Sequence, residues 1–505
     1  MPPSHTAKYP NLIPNKPIEV DLLGALGDAF IVFFGVWTLT HQLSYFAGLS
    51  FHQSWNFAFF FSCIGVLANC FCTLKFKGKP VFLGPSVVWA CALLSSLLAV
   101  LLYRPDSDDE QYLGHAILAL DFTFEKMKSL TGISTGYALT SYDFIRAALS
   151  YYTGIPILYV FYSLGPAIIS IFVIIFQWRL LKLLSIKYIG LAFLVFFIVM
   201  LAWGDVHRSP ANLGYVKFFQ GKGALVWVAI PAMLFYWLNF EITRNKNSLL
   251  LLFLAAICGV GFSPTGIPIA ILMAFLFFIS GLMQVKSKKA FLGRTLLLSI
   301  SLIGFLMLGL LISKYFNYHS SGIHSSVGIR QLNRLSDYLV NWEMLHFVLG
   351  DTKRFWLALL ALVLAPFVLP QSPARNLMRA YLAACITLML IPISSAVMAQ
   401  FSAGSFAWRW LFVCPFLLCV MALVDWILSS AWNRLIKIFA IGAFLGLFIM
   451  SGPLLVSDSN HTQIRLLFHQ LPDEQKIILR PEPYNNQTTR LEGSRVISLK
   501  DGRPL

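Results

Sequence analysis

Charged residues are scarce in this chain, and their scarcity excludes most classes of soluble protein. Only 12% of the 505 residues are Asp, Glu, Lys or Arg, whereas 58% are hydrophobic, a balance well outside that of soluble domains. The mean hydropathy is +0.73. Apolar runs of about 20 residues, long enough to cross a hydrocarbon core, recur along nearly the whole chain. The composition therefore predicts an all-α polytopic membrane protein without a large soluble domain.

Two further patterns are missing, one for a disulfide or metal site and one for a nucleotide-binding site. The eight cysteines all fall within apolar runs, so we expect packing residues rather than disulfides or a metal site. A phosphate-binding loop of the GxxxxGK[ST] type does not occur, which argues against a cytoplasmic nucleotide site. The formal net charge of +16 would suggest nucleic acid for a soluble protein, but in a membrane protein the positions of the cations indicate topology instead. We therefore expect the lipid bilayer, and no nucleic acid, as a partner.

The apolar runs predict about thirteen transmembrane helices. Their predicted ranges are 22–45, 54–73, 81–103, 156–177, 188–204, 223–240, 248–263, 266–284, 295–313, 354–369, 380–400, 409–429 and 438–456. Lys and Arg collect in alternate loops, where Glu241 is the only acid. Because such cations resist translocation, this alternation predicts a cytoplasmic N-terminus and an extracytoplasmic C-terminus.

This topology divides the chain into three parts. Residues 1–21 form a short cytoplasmic tail, residues 22–456 form the transmembrane domain, and residues 457–505 form a small extracytoplasmic tail. Three outer loops are large enough for chemistry, namely 104–155, 205–222 and 314–353. The inner loops are short and basic. We therefore expect any functional site to face outward.

The first outer loop contains an unusual acidic cluster. Asp106, Asp108, Asp109 and Glu110 lie within five residues, and apolar residues at helical spacing follow them from Leu113 onward. This pattern predicts a helix on the membrane surface with the acids at its N-terminal end, where the helix dipole favours them. One acid suffices to cap a helix. The cluster therefore predicts either a solvated helix cap or a catalytic or metal-binding edge.

Cations are disfavoured in outer loops, yet several occur there. His207, Arg208 and Lys222 crowd the loop 205–222, and they are candidates for a phosphate or pyrophosphate cradle. Arg409 stands between two tryptophans at the outer start of a predicted helix, and it is a further candidate. The alternative for all four is that they interact only with lipid headgroups.

The third outer loop and the predicted helices contain weaker signals. His319 and His324 lie five residues apart, a spacing that is not specific to any metal site, so a solvated loop is the favoured interpretation. Asp28, His41 and Asp425 fall within predicted helices. Intramembrane ionisable groups are functional candidates by default, although the two acids lie near the predicted interfaces.

These motifs together resemble the GT-C superfamily of membrane glycosyltransferases. The likeness is to bacterial polytopic members of unassigned function, and it covers most of the chain in layout but only short motifs in residues. Those motifs are the run DDEQYL from Asp108, the segment from His207-Arg208 to Gln220-Gly221-Lys222, and Trp408-Arg409 with Pro415. One difference is that the acidic loop follows the first span in GT-C enzymes, whereas here it follows the third predicted span.

The resemblance implies a function at the outer leaflet of a bacterial inner membrane. The expected reaction is transfer of a sugar from a polyprenyl-phosphate donor to an envelope glycan, lipid or protein acceptor. By this resemblance Asp109 is the first candidate for the general base, with Asp108 or Glu110 as support. Asp108 and Asp109 are also candidate ligands for a divalent metal such as Mg²⁺ or Mn²⁺. The candidates for binding the carrier phosphate are His207, Arg208, Lys222 and Arg409.

Two other functions fit the same sequence. A flippase or transporter for lipid-linked or anionic glycans would use charges within the spans, such as Asp28, His41 and Asp425. A polysaccharide polymerase or ligase would use the loop 314–353, and the acidic cluster would then be incidental. The sequence leaves both alternatives open.

Overall fold

The computed structural model describes residues 20–74, 81–104, 109–121, 139–204, 206, 208–283, 340–350, 352–391, 407–457 and 462–464, with isolated residues at 293 and 303–304 and short strands beyond 476. Within these residues the elements before residue 205 are α1 (Leu22–Phe46), α2 (Phe51–Leu74), α3 (Ser86–Leu101), α4 (Asp109–Asp121), α5 (Tyr142–Thr153), α6 (Ile157–Leu183) and α7 (Ile189–Ala202). The later elements are α8 (Gly221–Thr243), α9 (Lys246–Phe262), α10 (Gly266–Leu282), α11 (Val340–Leu349), α12 (Lys353–Val368), α13 (Arg375–Leu390), α14 (Phe416–Ser429) and α15 (Arg434–Met450).

The described part of the chain is an all-α protein of the kind expected to cross a membrane several times. Five helical segments in it are long and apolar enough to do so, namely α1, the first 21 residues of α2, α6, α8 and the stretch Trp408–Ser429. Helices α3, α7, α9 and α10 are apolar but shorter. Every predicted range except 295–313, of which the structure describes only residues 303–304, overlaps a described helix. The figure of thirteen spans stays a prediction.

Strands are short, and they connect distant parts of the chain. Val20–Asp21 (β1) pairs in parallel with Val81–Phe82 (β2). Leu102–Tyr103 (β3), directly after α3, pairs antiparallel with Gln463–Ile464 (β4), so that Leu102 lies opposite Ile464. Two further antiparallel pairs lie in the C-terminal tail, Ile477–Ile478 with Val496–Ile497 and Leu499–Lys500 with Arg503–Pro504.

Helix α1 packs along α2 and α9, and α3 packs along α6. A π-helical turn occurs at Val160–Leu164 within α6, and another occurs at Leu225–Ala229 within α8. Such turns are rare and occur most often at functional sites. Helix α8 is almost wholly enclosed by the rest of the protein, which fits its uniformly apolar sequence.

The two acids predicted within the spans both connect helices. Asp28 of α1 accepts hydrogen bonds from Arg179 (2.6 Å) and from the Tyr236 hydroxyl (2.7 Å). Asp425 of α14 accepts the backbone N–H groups of Lys187 and Tyr188, both at 2.9 Å, just before and at the start of α7. These partners account for both carboxylates as structural groups, because buried acids are stable only when paired or hydrogen-bonded.

A helix, α4, occurs where the sequence predicts one in the first outer loop, and its location on the membrane surface stays a prediction. It begins at Asp109, within the acidic cluster, and residues 122–130 of the predicted apolar stripe lie outside the described residues. A second helix in the same loop, α5, follows it and packs against it. Helix α11 covers the end of the third outer loop, and the described residues there begin at 340.

Candidate functional site

The structure describes the predicted site residues to different extents. Asp108 and His207 lie outside the described residues. Asp109 and Glu110 form the first turn of α4, and their side chains lie outside the described part. Arg208, Lys222 and Arg409 are described with their side chains. The structure therefore gives the backbone position of Asp109 and Glu110, and it gives the side-chain contacts of three of the four candidate cations.

Helix α4 packs against α5 and is enclosed by the rest of the protein. Residues 112–119 of α4 are all buried, and successive residues cover every face of a helix. The apolar residues among them pack with Phe144, Ala147 and Ala148 of α5 and with Phe219, and that burial stabilises a helix too short to be stable alone. The acidic N-terminus of α4 is thereby held at a fixed place on α5.

Polar contacts attach α5 to the helix bundle. The backbone N–H of Ser141 donates to the Gly261 carbonyl at 2.8 Å, and the Ser141 hydroxyl is 2.7 Å from that of Thr38 on α1. Gly261 permits this approach, because a Cβ at that position would lie 2.2 Å from the Thr38 hydroxyl oxygen. Next to it on α1, His41 is buried and stacks on Phe144 of α5. His41 therefore packs against the first outer loop.

A buried ionic cluster lies between α4 and α5. Asp143 and Arg146 of α5 form a short hydrogen-bonded ion pair, with 4% and 1% of their surfaces exposed. The Asp143 carboxylate also lies 4.0 Å from Nδ1 of His115 on α4. Arg146 donates from Nη1 to the Phe219 carbonyl at 2.6 Å and stacks over Phe161, in the π-helical turn of α6, at 3.7 Å.

Burial shifts the protonation equilibria of this cluster in opposite directions. Loss of hydration raises the pKa of Asp143 to about 6, although the charge and hydrogen bond of Arg146 oppose the rise. Loss of hydration lowers the pKa of His115 to about 4. Both shifts disfavour the charged form, as expected for groups removed from water. Near neutral pH, His115 is therefore neutral, and Asp143 is ionised and paired with Arg146.

The first and second outer loops meet at Lys222. This residue lies in the first turn of α8, and its Nζ is 5.5 Å from the ring centroid of Tyr112 on α4. Its neighbour Gly221 allows α8 to begin here, because a Cβ at that position would lie 1.7 Å from the Phe262 carbonyl oxygen. Tyr112 lies about one helical turn after Asp109, the first residue of α4. Lys222 therefore contacts the N-terminal part of α4.

The other two described cations share one tryptophan. The guanidinium carbon of Arg208 lies 3.6 Å from the ring centroid of Phe347 on α11 and 5.5 Å from that of Trp408. Arg409 lies 5.3 Å from the same Trp408 ring and donates to the Thr265 hydroxyl at 2.6 Å. Partial burial lowers the pKa of Arg208, but a guanidinium stays charged at any ordinary pH.

Four chain segments therefore converge at this tryptophan. They are the loop 205–222, the turn before α10, helix α11 and the 3₁₀ turn Ala407–Val413. Arginines stacked on aromatic rings keep their hydrogen-bonding edges available for planar anions such as phosphate. Arg208 and Arg409 therefore both lie near the Trp408 ring, and their binding of a carrier phosphate stays a prediction.

An apolar cavity lies beside the loop 205–222 and the 3₁₀ turn Ala407–Val413. It is lined by Pro210, Trp227, Phe412 and neighbouring residues, and its volume is about 40 Å³. A space of this size holds little more than one water molecule or methyl group.

The sequence does not predict a role for His115, Asp143 and Arg146. One signal was present, because Asp143 and Arg146 stand three residues apart in the run YDFIRAAL, which has an amphipathic helical pattern. Their burial depends on Phe161 and Phe219, which follow later in the chain. Within the described residues, no three His, Cys, Asp or Glu side chains are grouped so that they could hold a metal ion.

Comparison with known proteins gives no family assignment. No family model, no curated protein and no solved structure matches the chain. The resemblance to GT-C enzymes therefore depends on the motifs and on the layout of the chain.

Proposed function

We propose that this protein is a GT-C-like membrane glycosyltransferase that transfers a sugar from a polyprenyl-phosphate donor to a cell-envelope acceptor at the outer leaflet of a bacterial inner membrane. The observation that supports the proposal most is the contact between Lys222 and Tyr112. It brings a cation of the second outer loop beside the helix that begins with the acidic cluster. An acid and a phosphate-binding cation on adjacent elements are what this reaction needs.

The reaction assigns different roles to the two sides of the site. Asp109 removes the proton from the acceptor hydroxyl, and the resulting oxygen attacks the anomeric carbon of the sugar. The bond between that carbon and the phosphate oxygen breaks, and the electron pair leaves on the polyprenyl phosphate. Lys222, Arg208 and Arg409, with His207, stabilise the negative charge that develops on this leaving group.

Two further residues support the acidic side. Asp108 and Glu110 stand next to the proposed base in the sequence. Asp108 and Asp109 have the oxygen ligands that Mg²⁺ or Mn²⁺ prefers, and such an ion, when bound, supplies additional positive charge for the leaving phosphate. The first turn of α4 is also where the helix dipole stabilises carboxylates, which keeps the acids ionised and able to accept a proton.

The proposal is tested by mass spectrometry of envelope glycans and lipid-linked sugars. A deletion strain is complemented with the wild type, with Asp109→Asn or with Asp425→Asn. Asp425→Asn is the matched control, because the asparagine keeps an oxygen that can accept the backbone N–H groups of Lys187 and Tyr188. We expect Asp109→Asn to insert normally, to accumulate the lipid-linked donor and to lose one glycan modification, whereas the control complements. Full complementation by Asp109→Asn contradicts the proposal.

One observation favours a second candidate function. Arg208 contacts Phe347, at the end of the third outer loop, and a polysaccharide polymerase or ligase would use that loop to bind a lipid pyrophosphate. The same experiment separates the two functions. A polymerase defect leaves single repeat units on the lipid carrier, and Arg208→Ala then has a stronger effect than Asp109→Asn.

A further inference from the structure

Helix α5 contacts both sides of the proposed site. On one side its Asp143 faces His115 of α4, the helix that begins with the acidic cluster. On the other side Arg146 and the Tyr142 hydroxyl donate to the carbonyls of Phe219 and Phe218, at 2.6 and 2.8 Å. Those two carbonyls precede Lys222 by only a few residues. A continuous series of contacts therefore runs from α4 through the ion pair to the segment with Lys222.

Helix α5 is itself fixed to the bundle. Its N-terminal end is attached through Ser141 to Thr38 of α1 and to Gly261 at the end of α9. Gly261 cannot accept a side chain without displacing Thr38. The helix is therefore a stable reference, and α4 and the segment 208–222 are both positioned against it.

The ion pair of α5 has a cost and a benefit that apolar residues at the same positions would not have. Asp143 and Arg146 are both almost fully buried, and burying two charges has a large desolvation cost that apolar residues of the same volume would avoid. What the charged groups add is direction, because a carboxylate and a guanidinium form hydrogen bonds only in defined geometries. The ion pair itself lies within α5, and the bonds from Arg146 and Tyr142 to the Phe219 and Phe218 carbonyls give the segment 208–222 a defined direction. The connection to α4 is the approach of the Asp143 carboxylate to Nδ1 of His115 at 4.0 Å, in addition to the apolar packing of the two helices.

We propose that Asp143 and Arg146 are positioning residues that hold helix α4 and the segment 208–222 in one fixed arrangement, so that the start of α4 stays beside Lys222. In this arrangement Asp143 orients Arg146 toward the Phe219 carbonyl and at the same time contacts α4 through His115. The significance of the arrangement for sugar transfer rests on the proposed function. The coupling itself is a property of the fold, and it is measured independently.

Hydrogen–deuterium exchange of the full-length protein in nanodiscs tests the coupling, because each variant breaks a different part of it. Asp143→Asn weakens both connections, so we expect exchange to rise in both segments. The rise should be roughly tenfold in 208–222, the change expected from weakening a buried charged hydrogen bond, and smaller in α4, which Asp143 approaches at 4.0 Å. Arg146→Lys keeps the positive charge but loses the bond to Phe219, so only 208–222 is affected. His115→Phe keeps the ring but loses the contact with Asp143, so only α4 is affected.

Asp425→Asn is the matched control, and exchange in both segments is expected to stay at the wild-type level. The proposal is overturned if Asp143→Asn changes only one of the two segments or neither. It is also overturned if exchange rises equally throughout the protein, because Asp143 would then be a general stabilising residue.

The glycan assay then tests the role in the reaction. We expect Asp143→Asn to accumulate the lipid-linked donor, as Asp109→Asn does, and Arg146→Lys to do so in part. If Asp143→Asn complements fully while Asp109→Asn does not, the positioning role is wrong and the proposed function stands. If Asp109→Asn also complements, the proposed function fails, and the exchange pattern alone decides whether the coupling exists.

Discussion

The opposite pKa shifts of Asp143 and His115 predict how stability depends on pH. The pKa of Asp143 is raised from 3.8 to about 6, so its contribution to stability is fully present below pH 3.8 and is lost as the pH rises through about 6. The pKa of His115 is lowered from 6.5 to about 4, so its contribution is present above pH 6.5 and is lost as the pH falls through about 4.

The two effects are similar in size and opposite in sign. One pKa unit corresponds to about 1.4 kcal/mol, so each shift changes the free energy of unfolding by roughly 3 kcal/mol between its two limits. In the wild type they nearly cancel between pH 4 and 6.5. A variant that lacks one group should therefore show the pH dependence of stability that the other group causes. Asp143→Asn should become more stable as the pH rises across this range, whereas His115→Asn should become less stable.

The apparent midpoint of thermal unfolding in detergent, measured at several pH values from 4 to 7, provides the test. Each substitution also shifts stability at all pH values, and Asp143→Asn leaves the Arg146 charge without its partner, so only the slope against pH is compared. The reasoning is refuted if the two variants have slopes of the same sign, or if both have the slope of the wild type.

Three further perturbations have defined outcomes. Arg354 is completely buried, and it donates to four backbone carbonyls at or just beyond the end of α15, at distances between 2.6 and 3.1 Å. We expect Arg354→Met to lower the free energy of unfolding by roughly 3 kcal/mol. The change is measured as a lower midpoint of thermal unfolding. Gly221→Ala should prevent stable insertion because its Cβ has no space, whereas Gly442→Ala, in open space, should not, as membrane protein yield will show. Arg409→Ala should accumulate the lipid-linked donor, and Thr265→Val, which removes the hydroxyl beside that guanidinium, should do so more weakly in the same mass-spectrometric assay.

The helices were predictable because their signal is local. A run of apolar residues must be helical inside a bilayer, where every backbone polar group needs a partner within the same segment. The start of α4 at Asp109 follows from the same kind of evidence, since an acidic cluster before an apolar periodicity marks a helix N-terminus. These features need no knowledge of which segments meet.

The ionic cluster was not predictable in the same way. Asp143 and Arg146 lie in a predicted outer loop, where a pair three residues apart is usually a solvated surface pair. What buries them is the approach of Phe161 and Phe219, which are 15 and 73 residues beyond Arg146. A single sequence contains no information on that approach. The sharing of Trp408 by Arg208 and Arg409 depends likewise on contacts across the fold.

The polar residues of α1 illustrate both cases, because the residues are visible in the sequence but their contacts with distant segments are not. His41 in an apolar span fits a transport path when only the sequence is considered, because polar groups within a membrane are costly. In the structure His41 stacks on Phe144, and two nearby polar residues of α1 have similar contacts, since Thr38 contacts Ser141 and Gln42 donates to the Leu139 carbonyl at 2.7 Å. All three therefore face the start of α5. The docking of the first outer loop explains these polar residues of α1, and the transporter function stays an alternative prediction.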